Sequence, residues 1–130
     1  MLMLSESFAQ SFEPKCYIIK VSNFCNLTCT YCYYYGSEGF NGSQGNNYPD
    51  FISGSTLYNL FSFARRTAGE LGVEDVQFCW YGGEPMCVPI RDFREMLEMQ
   101  RGVFGSSSSI KLNNTIQTNA TRLPLTGQKC

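Results

Sequence analysis

The sequence predicts an α/β fold of βαβαβ order with a parallel sheet, and two observations carry that prediction. Three short strand-like runs, 16–21, 76–81 and 111–117, alternate with two stretches of helical periodicity, about 54–71 and 89–101. Such alternation is the signature of parallel strands joined by right-handed crossovers. Each run is also followed at once by a polar or glycine-rich motif. In parallel α/β architectures the functional loops gather beyond the carboxyl ends of the strands. The three motifs are therefore expected on one rim.

Residues 1–14 read as an extension ending at Pro14. Cys-Tyr-Ile-Ile-Lys-Val at 16–21 is short, apolar and partly β-branched, as a buried strand should be. A cysteine-rich loop follows. Residues 36–50, rich in Gly, Asn and Ser, read as a flexible loop. Ser53 is placed to cap a helix whose apolar positions Leu57, Leu60, Phe61, Ala64, Ala68 and Leu71 keep helical spacing, with Gly72 as its stop. Val-Gln-Phe-Cys-Trp-Tyr at 76–81 is the second strand, broken by Gly82-Gly83-Glu84-Pro85. The second helix carries Ile90, Phe93 and Leu97 on one face and ends at Gly102. Ser106–Ser109 is a solvated linker, Lys111–Gln117 the third strand, and a third helix is expected to begin after Thr121.

At 130 residues and 43% hydrophobic composition the chain is one domain, or part of one, with material for a core. A net charge of −1 argues against nucleic acid or an anionic membrane as partner. No apolar run approaches the roughly 20 residues of a membrane helix. Met1–Phe12 has no basic segment and too short an apolar stretch for a signal peptide. Seven cysteines, three of them clustered, suit a reducing cytoplasm, where they read as metal binding plus scattered thiols.

Cys25, Cys29 and Cys32 form a C-x₃-C-x₂-C run. Thiolate sulfur is a soft ligand for iron–sulfur clusters, zinc and copper(I). A 4Fe–4S cluster is usually held by four cysteines, so a run of three leaves one iron able to bind something else. Zinc sites more often use C-x₂-C pairs and histidine. This chain has no histidine and no second pair of that kind.

The segment Lys20-Val21-Ser22-Asn23-Phe24-Cys25-Asn26-Leu27-Thr28-Cys29-Thr30-Tyr31-Cys32-Tyr33 resembles the cluster loop of the radical S-adenosylmethionine (AdoMet) enzymes, including the aromatic Tyr31 before the last cysteine. Gly82-Gly83-Glu84-Pro85 resembles the motif after the second strand of that family. Ile116-Gln117-Thr118-Asn119-Ala120-Thr121 resembles the third-strand end of a narrower group, the peptide maturases related to anaerobic sulfatase-maturing enzymes (the SPASM type). Those usually read Gln-Thr-Asn-Gly-Thr. Ala120 stands in the glycine's place, and because alanine tolerates positive φ poorly the turn is expected to differ.

The resemblance covers about residues 15–123 and implies a radical AdoMet core over 15–130. Cys25, Cys29 and Cys32 would hold a 4Fe–4S cluster whose fourth iron takes AdoMet, and one electron would release a 5′-deoxyadenosyl radical. Gly82, Gly83 and Glu84 would meet the methionine ammonium, Tyr31 the adenine side, and Gln117 and Asn119 cofactor or substrate. The implied partners are a peptide or protein substrate and an electron donor such as flavodoxin or ferredoxin. Substitution of Gly83 by valine is expected to block AdoMet without loss of iron. The family core is a partial barrel of about six βα units, whereas an eight-unit barrel takes about 250 residues. Three strands therefore read as its N-terminal half, a truncated core.

The remaining residues read more plainly. Cys16 and Cys79 are expected as inert buried thiols, and Cys87 is placed to approach the rim. Asn119 or Thr121 could simply cap the next helix, and Gly82-Gly83 could be an ordinary turn. Met86, Met96 and Met99 suit packing; Arg65, Arg66, Arg91 and Arg94 suit solvated helix faces; Tyr33, Tyr34 and Tyr35 suit loop packing. Cys130 is terminal and uninterpretable. Two other functions stay open on the residues alone: a small iron–sulfur electron carrier, or a structural zinc module with Cys16, Cys79 or Cys87 as fourth ligand. No catalytic acid or base is legible.

Overall fold

The computed structural model describes residues 16–32, 51–105 and 109–122. The extension at 1–14, Tyr33–Tyr35, the loop 36–50, most of the serine linker, the expected third helix and Cys130 lie outside them.

The described residues form three strands and two helices in the order β1 (Cys16–Lys20), α1 (Gly54–Leu71), β2 (Asp75–Tyr81), α2 (Ile90–Phe104) and β3 (Lys111–Ile116). The sheet has the order β1-β2-β3 and both pairs are parallel, with Ile18 opposite Cys79 and Cys79 opposite Thr115. It is an open sheet.

Alternation along β2 decides how the sheet is covered. Val76, Phe78 and Trp80 are buried, while Asp75 and Gln77 are exposed. The buried set joins Ile19 and Val21 from the β1 side with Leu57, Phe61, Ala64 and Ala68 of α1 and Phe104 of α2 in one core. Phe61 meets Phe78 edge-on at 5.4 Å, and Phe104 meets the same ring at 6.0 Å. Both helices thus sit on one face. Truncating a buried phenylalanine at that junction would cost about 3–5 kcal/mol.

The other face carries Cys16, Ile18, Gln77, Cys79, Asn113 and Thr115 by register. Ile18 is 70% exposed there. This corrects the expectation for two cysteines: Cys16 is exposed and Cys79 half-buried. A strand hydrophobic throughout is buried on both sides only when both faces are covered, and the described helices cover one.

α1 begins and ends as its sequence signals. Ser53 Oγ accepts from Thr56 N, and Gly72 takes the left-handed conformation with φ 67. Such an N-cap contributes about 1 kcal/mol. α2 begins as expected and departs from expectation at its end and in the exposure of Ile90. It runs through Gly102 and stops at Gly105, whose φ is 73 and whose N–H reaches Arg101 O. Gly102 is exposed with open space around it, so it is tolerated at about 1 kcal/mol relative to alanine. Ile90 is 69% exposed; Phe93, Met96, Leu97 and Met99 pack on the core instead. Arg65, Arg66, Arg91 and Arg94 are exposed, as expected.

β3 is held by more than its ladder. Trp80 Nε1 donates to Asn114 Oδ1 at 2.8 Å, and Asn114 and the buried Gln100 exchange amide hydrogen bonds at 2.9 and 3.1 Å. A polar strand joins the core because its asparagine satisfies a buried tryptophan and a buried glutamine. No helix among the described residues is long and apolar enough to cross a membrane.

Candidate cofactor site

Three loops meet beyond the carboxyl ends of the strands, as the parallel order requires. The cysteine loop leaves β1, the Gly-Gly-Glu-Pro turn leaves β2, and the Gln-Thr-Asn segment leaves β3. They are joined by specific bonds.

The first joint is main chain to main chain. Val21 N donates to Tyr81 O at 2.8 Å, Gly83 N to Ser22 O at 3.0 Å and Glu84 N to Phe24 O at 2.8 Å. The β1–β2 pairing therefore continues past the strands into the loops. Both glycines are needed for this approach. Gly82 has φ 151, and a β-carbon there would collide with Ser22 O. A β-carbon on Gly83 would collide with Phe24 O and lie 2.7 Å from Asn23 O. The sequence reading assigned this closeness to the cofactor. The close neighbour within the chain is the backbone immediately before Cys25, so Gly83 is coupled to the cysteine loop.

The second joint is Glu84. Its side chain is 1% exposed. Oε1 accepts from Thr118 Oγ1 at 2.6 Å and Met86 N at 2.8 Å, and Oε2 accepts from Asn119 N at 2.6 Å. A buried carboxylate persists only with such partners. All three donors lie within this chain, so the carboxylate binds the second loop to the third. Met86 N belongs to a short 3₁₀ turn, Pro85–Cys87, that Glu84 caps.

The third joint closes the triangle. Asn119 Nδ2 donates to Asn26 Oδ1 at 3.0 Å and lies 3.8 Å from Cys25 Sγ. Asn26 Nδ2 donates to Thr121 Oγ1 at 2.8 Å. Ala120 adopts φ 61. The turn keeps the left-handed step that glycine would take, against the expectation that alanine alters it.

Cys25 and Cys32 are half-buried and Cys29 is exposed, so none of the three points into the core. Among the described residues no three His, Cys, Asp or Glu side chains are placed to hold a single metal ion. Cys25 Sγ accepts from Leu27 N at 3.4 Å besides the Asn119 contact. Three soft sulfur donors on one loop, at the surface, suit an iron–sulfur cluster in their chemistry.

Other expected site residues stand apart. Tyr31 is 87% exposed. Gln117 N–H extends the ladder to Trp80 O at 2.9 Å, and its side chain is exposed. Cys87 does reach the rim: Cys25 and the Asn26 N–H face its thiol, which burial pushes up. Cys16 begins β1, about 16 Å of strand before the loop. Ser22, Asn26, Thr118 and Thr121 were missed as structural members of the site. The signal available for them was position alone, each lying within the cysteine segment or the Gln-Thr-Asn segment.

Curated relatives of this chain include a serine-type anaerobic sulfatase-maturating enzyme of Klebsiella pneumoniae, 30% identical over 99 residues, 75% of this chain and 22% of that one. A serine-type enzyme of Bacteroides thetaiotaomicron is 30% identical over 122 residues, 93% of this chain and 27% of that one. A cysteine-type enzyme of Clostridium perfringens is 31% identical over 110 residues, 83% of this chain and 27% of that one. The chain is a homologue of the anaerobic sulfatase-maturating enzymes. Those are radical AdoMet enzymes of the SPASM type. The chain spans about a quarter of the length of the maturases it matches. No family model matches it, and no solved structure matches. Maturase kinship thus rests on these relatives, and it accords with the three motifs and their order.

Proposed function

We propose that this chain is the cluster- and AdoMet-binding part of an enzyme that modifies a residue of a peptide or protein. The observation that carries the reading is the joining of all three motif loops at one rim by Gly83, Glu84 and Asn119. An electron carrier would need the cysteines and leave that bracing unexplained.

In this reading residues 15–130 are core and 1–14 an extension, and the three parallel strands belong to a partial barrel of about six βα units. Cys25, Cys29 and Cys32 supply three thiolates. Glu84's carboxylate is occupied, and its carbonyl accepts from Cys87 N at 3.0 Å. The carbonyl oxygens of Gly82 and Gly83 accept no hydrogen bond among the described residues. They are the acceptors this turn offers an ammonium group. When bound, the 4Fe–4S cluster and AdoMet supply a carbon-centred radical that abstracts hydrogen from substrate. The chain's own part is to hold the loops at fixed separation and to orient both groups. The protein substrate follows the relatives, named for maturating sulfatases. A small flavodoxin- or ferredoxin-like donor in a reducing cytoplasm would supply the electron.

The test is anaerobic reconstitution of the full chain with iron and sulfide, followed by AdoMet. The expected result is about four irons and four sulfides per chain and an AdoMet-dependent change in the spectrum of the reduced cluster. Zinc without sulfide, or a cluster indifferent to AdoMet, would overturn the reading.

A further inference from the structure

We infer that Asn119 is a positioning residue for Cys25, donating its side-chain N–H to that sulfur and so setting the electron affinity of whatever Cys25 ligates. The inference rests on the proposed cluster site for its consequence, and on the fold alone for its geometry.

An asparagine amide can face either way, and its neighbours decide which. Here both donors on one side are fixed. Thr121 N and Thr121 Oγ1 each donate to Asn119 Oδ1, at 3.1 and 2.8 Å. The oxygen is thereby turned toward Thr121, and Nδ2 must face Asn26 Oδ1 and Cys25 Sγ. The reversed amide would set its NH₂ against the Thr121 N–H and its oxygen against the Asn26 oxygen, so this orientation is strongly preferred.

The backbone beneath the amide is fixed as well. Asn119 N and Thr118 Oγ1 are held by the two oxygens of the buried Glu84 carboxylate. Charge-assisted bonds of this kind are about twice as strong as neutral ones. Glu84 therefore acts on Cys25 through Asn119, across three loops. It positions without touching the sulfur.

The contact also makes the three cysteines unequal. Cys25 Sγ accepts from Leu27 N and Asn119 Nδ2. Among the described residues no hydrogen bond reaches the sulfur of Cys29 or Cys32. Hydrogen bonds to ligating sulfurs are among the terms that set the potential of an iron–sulfur cluster. An N–H donor draws electron density from the thiolate and favours the more negative, reduced state. Ligand-orienting partners of this sort have large effects on metal sites.

The experiment compares the wild-type chain with Asn119→Ala and Asn119→Asp, measuring cluster content and midpoint potential by anaerobic redox titration. Asn119→Ala should keep its iron and shift the reduction equilibrium about tenfold toward the oxidised form, about 59 mV for one electron. Asn119→Asp sets a carboxylate against the thiolate and should shift it further in the same direction. Equal potentials in all three overturn the inference while leaving the cluster reading intact. A second measurement needs no cluster. In the metal-free chain, Cys25→Ala should move the side-chain amide resonances of Asn119 in ¹H–¹⁵N spectra, and Cys29→Ala should not. An unmoved Asn119 amide overturns the contact. If the wild-type chain takes up no iron and sulfide, the functional reading falls and these spectra alone decide the contact.

Discussion

Gly83 lies backbone to backbone against Phe24, the residue before Cys25, with Glu84 N bonded to Phe24 O at 2.8 Å. The turn after β2 and the loop after β1 are thus one unit. That relationship changes what a substitution at Gly83 would do. Gly83→Val forces its side chain into the carbonyls of Asn23 and Phe24 and must displace the start of the cysteine loop. The expected outcome is combined loss of iron and AdoMet binding, with destabilisation of about 2 kcal/mol or more. Iron content and AdoMet affinity after reconstitution, with a urea melt, check it; normal iron with lost AdoMet would restore the simpler steric picture.

The cysteines sort by position. Cys25→Ala, Cys29→Ala and Cys32→Ala should each abolish cluster uptake. Cys16→Ala and Cys79→Ala should leave it unchanged, since both lie along the strands on the face of the sheet away from the described helices. Iron and sulfide analysis of the five variants decides this. Equal loss in Cys79→Ala would point to a four-cysteine site.

Glu84 is best probed by two substitutions. Glu84→Ala leaves Thr118 Oγ1, Asn119 N and Met86 N without their acceptor in a partly buried place. Unsatisfied groups of this kind cost about 1–3 kcal/mol each. Glu84→Gln keeps one acceptor oxygen and should lose less than half as much. Denaturant unfolding of the metal-free chain measures both. Equal loss would mean the bonds matter little beside the volume of the side chain.

Ala120 carries a left-handed backbone, φ 61, without being glycine. That conformation costs an L-residue about 1–2 kcal/mol, partly offset by glycine's extra freedom in the unfolded chain. Ala120→Gly should stabilise by up to about 1 kcal/mol, read from the same unfolding curves. A destabilised glycine variant would show that the turn relaxes readily.

Much of this was legible from residue order. Ser53 and Gly72 mark α1 because capping acts within four residues of the helix end. The three motifs converge because parallel strands put their carboxyl ends together. What stayed hidden was long-range. Glu84 meets Thr118 and Asn119, 34 and 35 positions away, so nothing local distinguishes it from a carboxylate offered to a ligand. Asn114 was legible as a polar residue in a strand and not as the partner of Trp80 and Gln100. Gly102 misled because a glycine in open space permits a helix to continue, and only the backbone at Gly105 ends it.

Because the joint between the cysteine loop and the Gly-Gly-Glu-Pro turn is made by main-chain atoms, it constrains the two sides unequally. At Ser22 and Phe24 it asks for a carbonyl, which nearly any residue provides; at 82 and 83 it asks for the absence of a side chain. Randomised libraries would therefore tolerate wide drift at Phe24, which is 38% exposed, and would return to glycine on the facing turn. Identity can wander on the loop that bears the three cysteines while its shape is inherited from the loop that faces it.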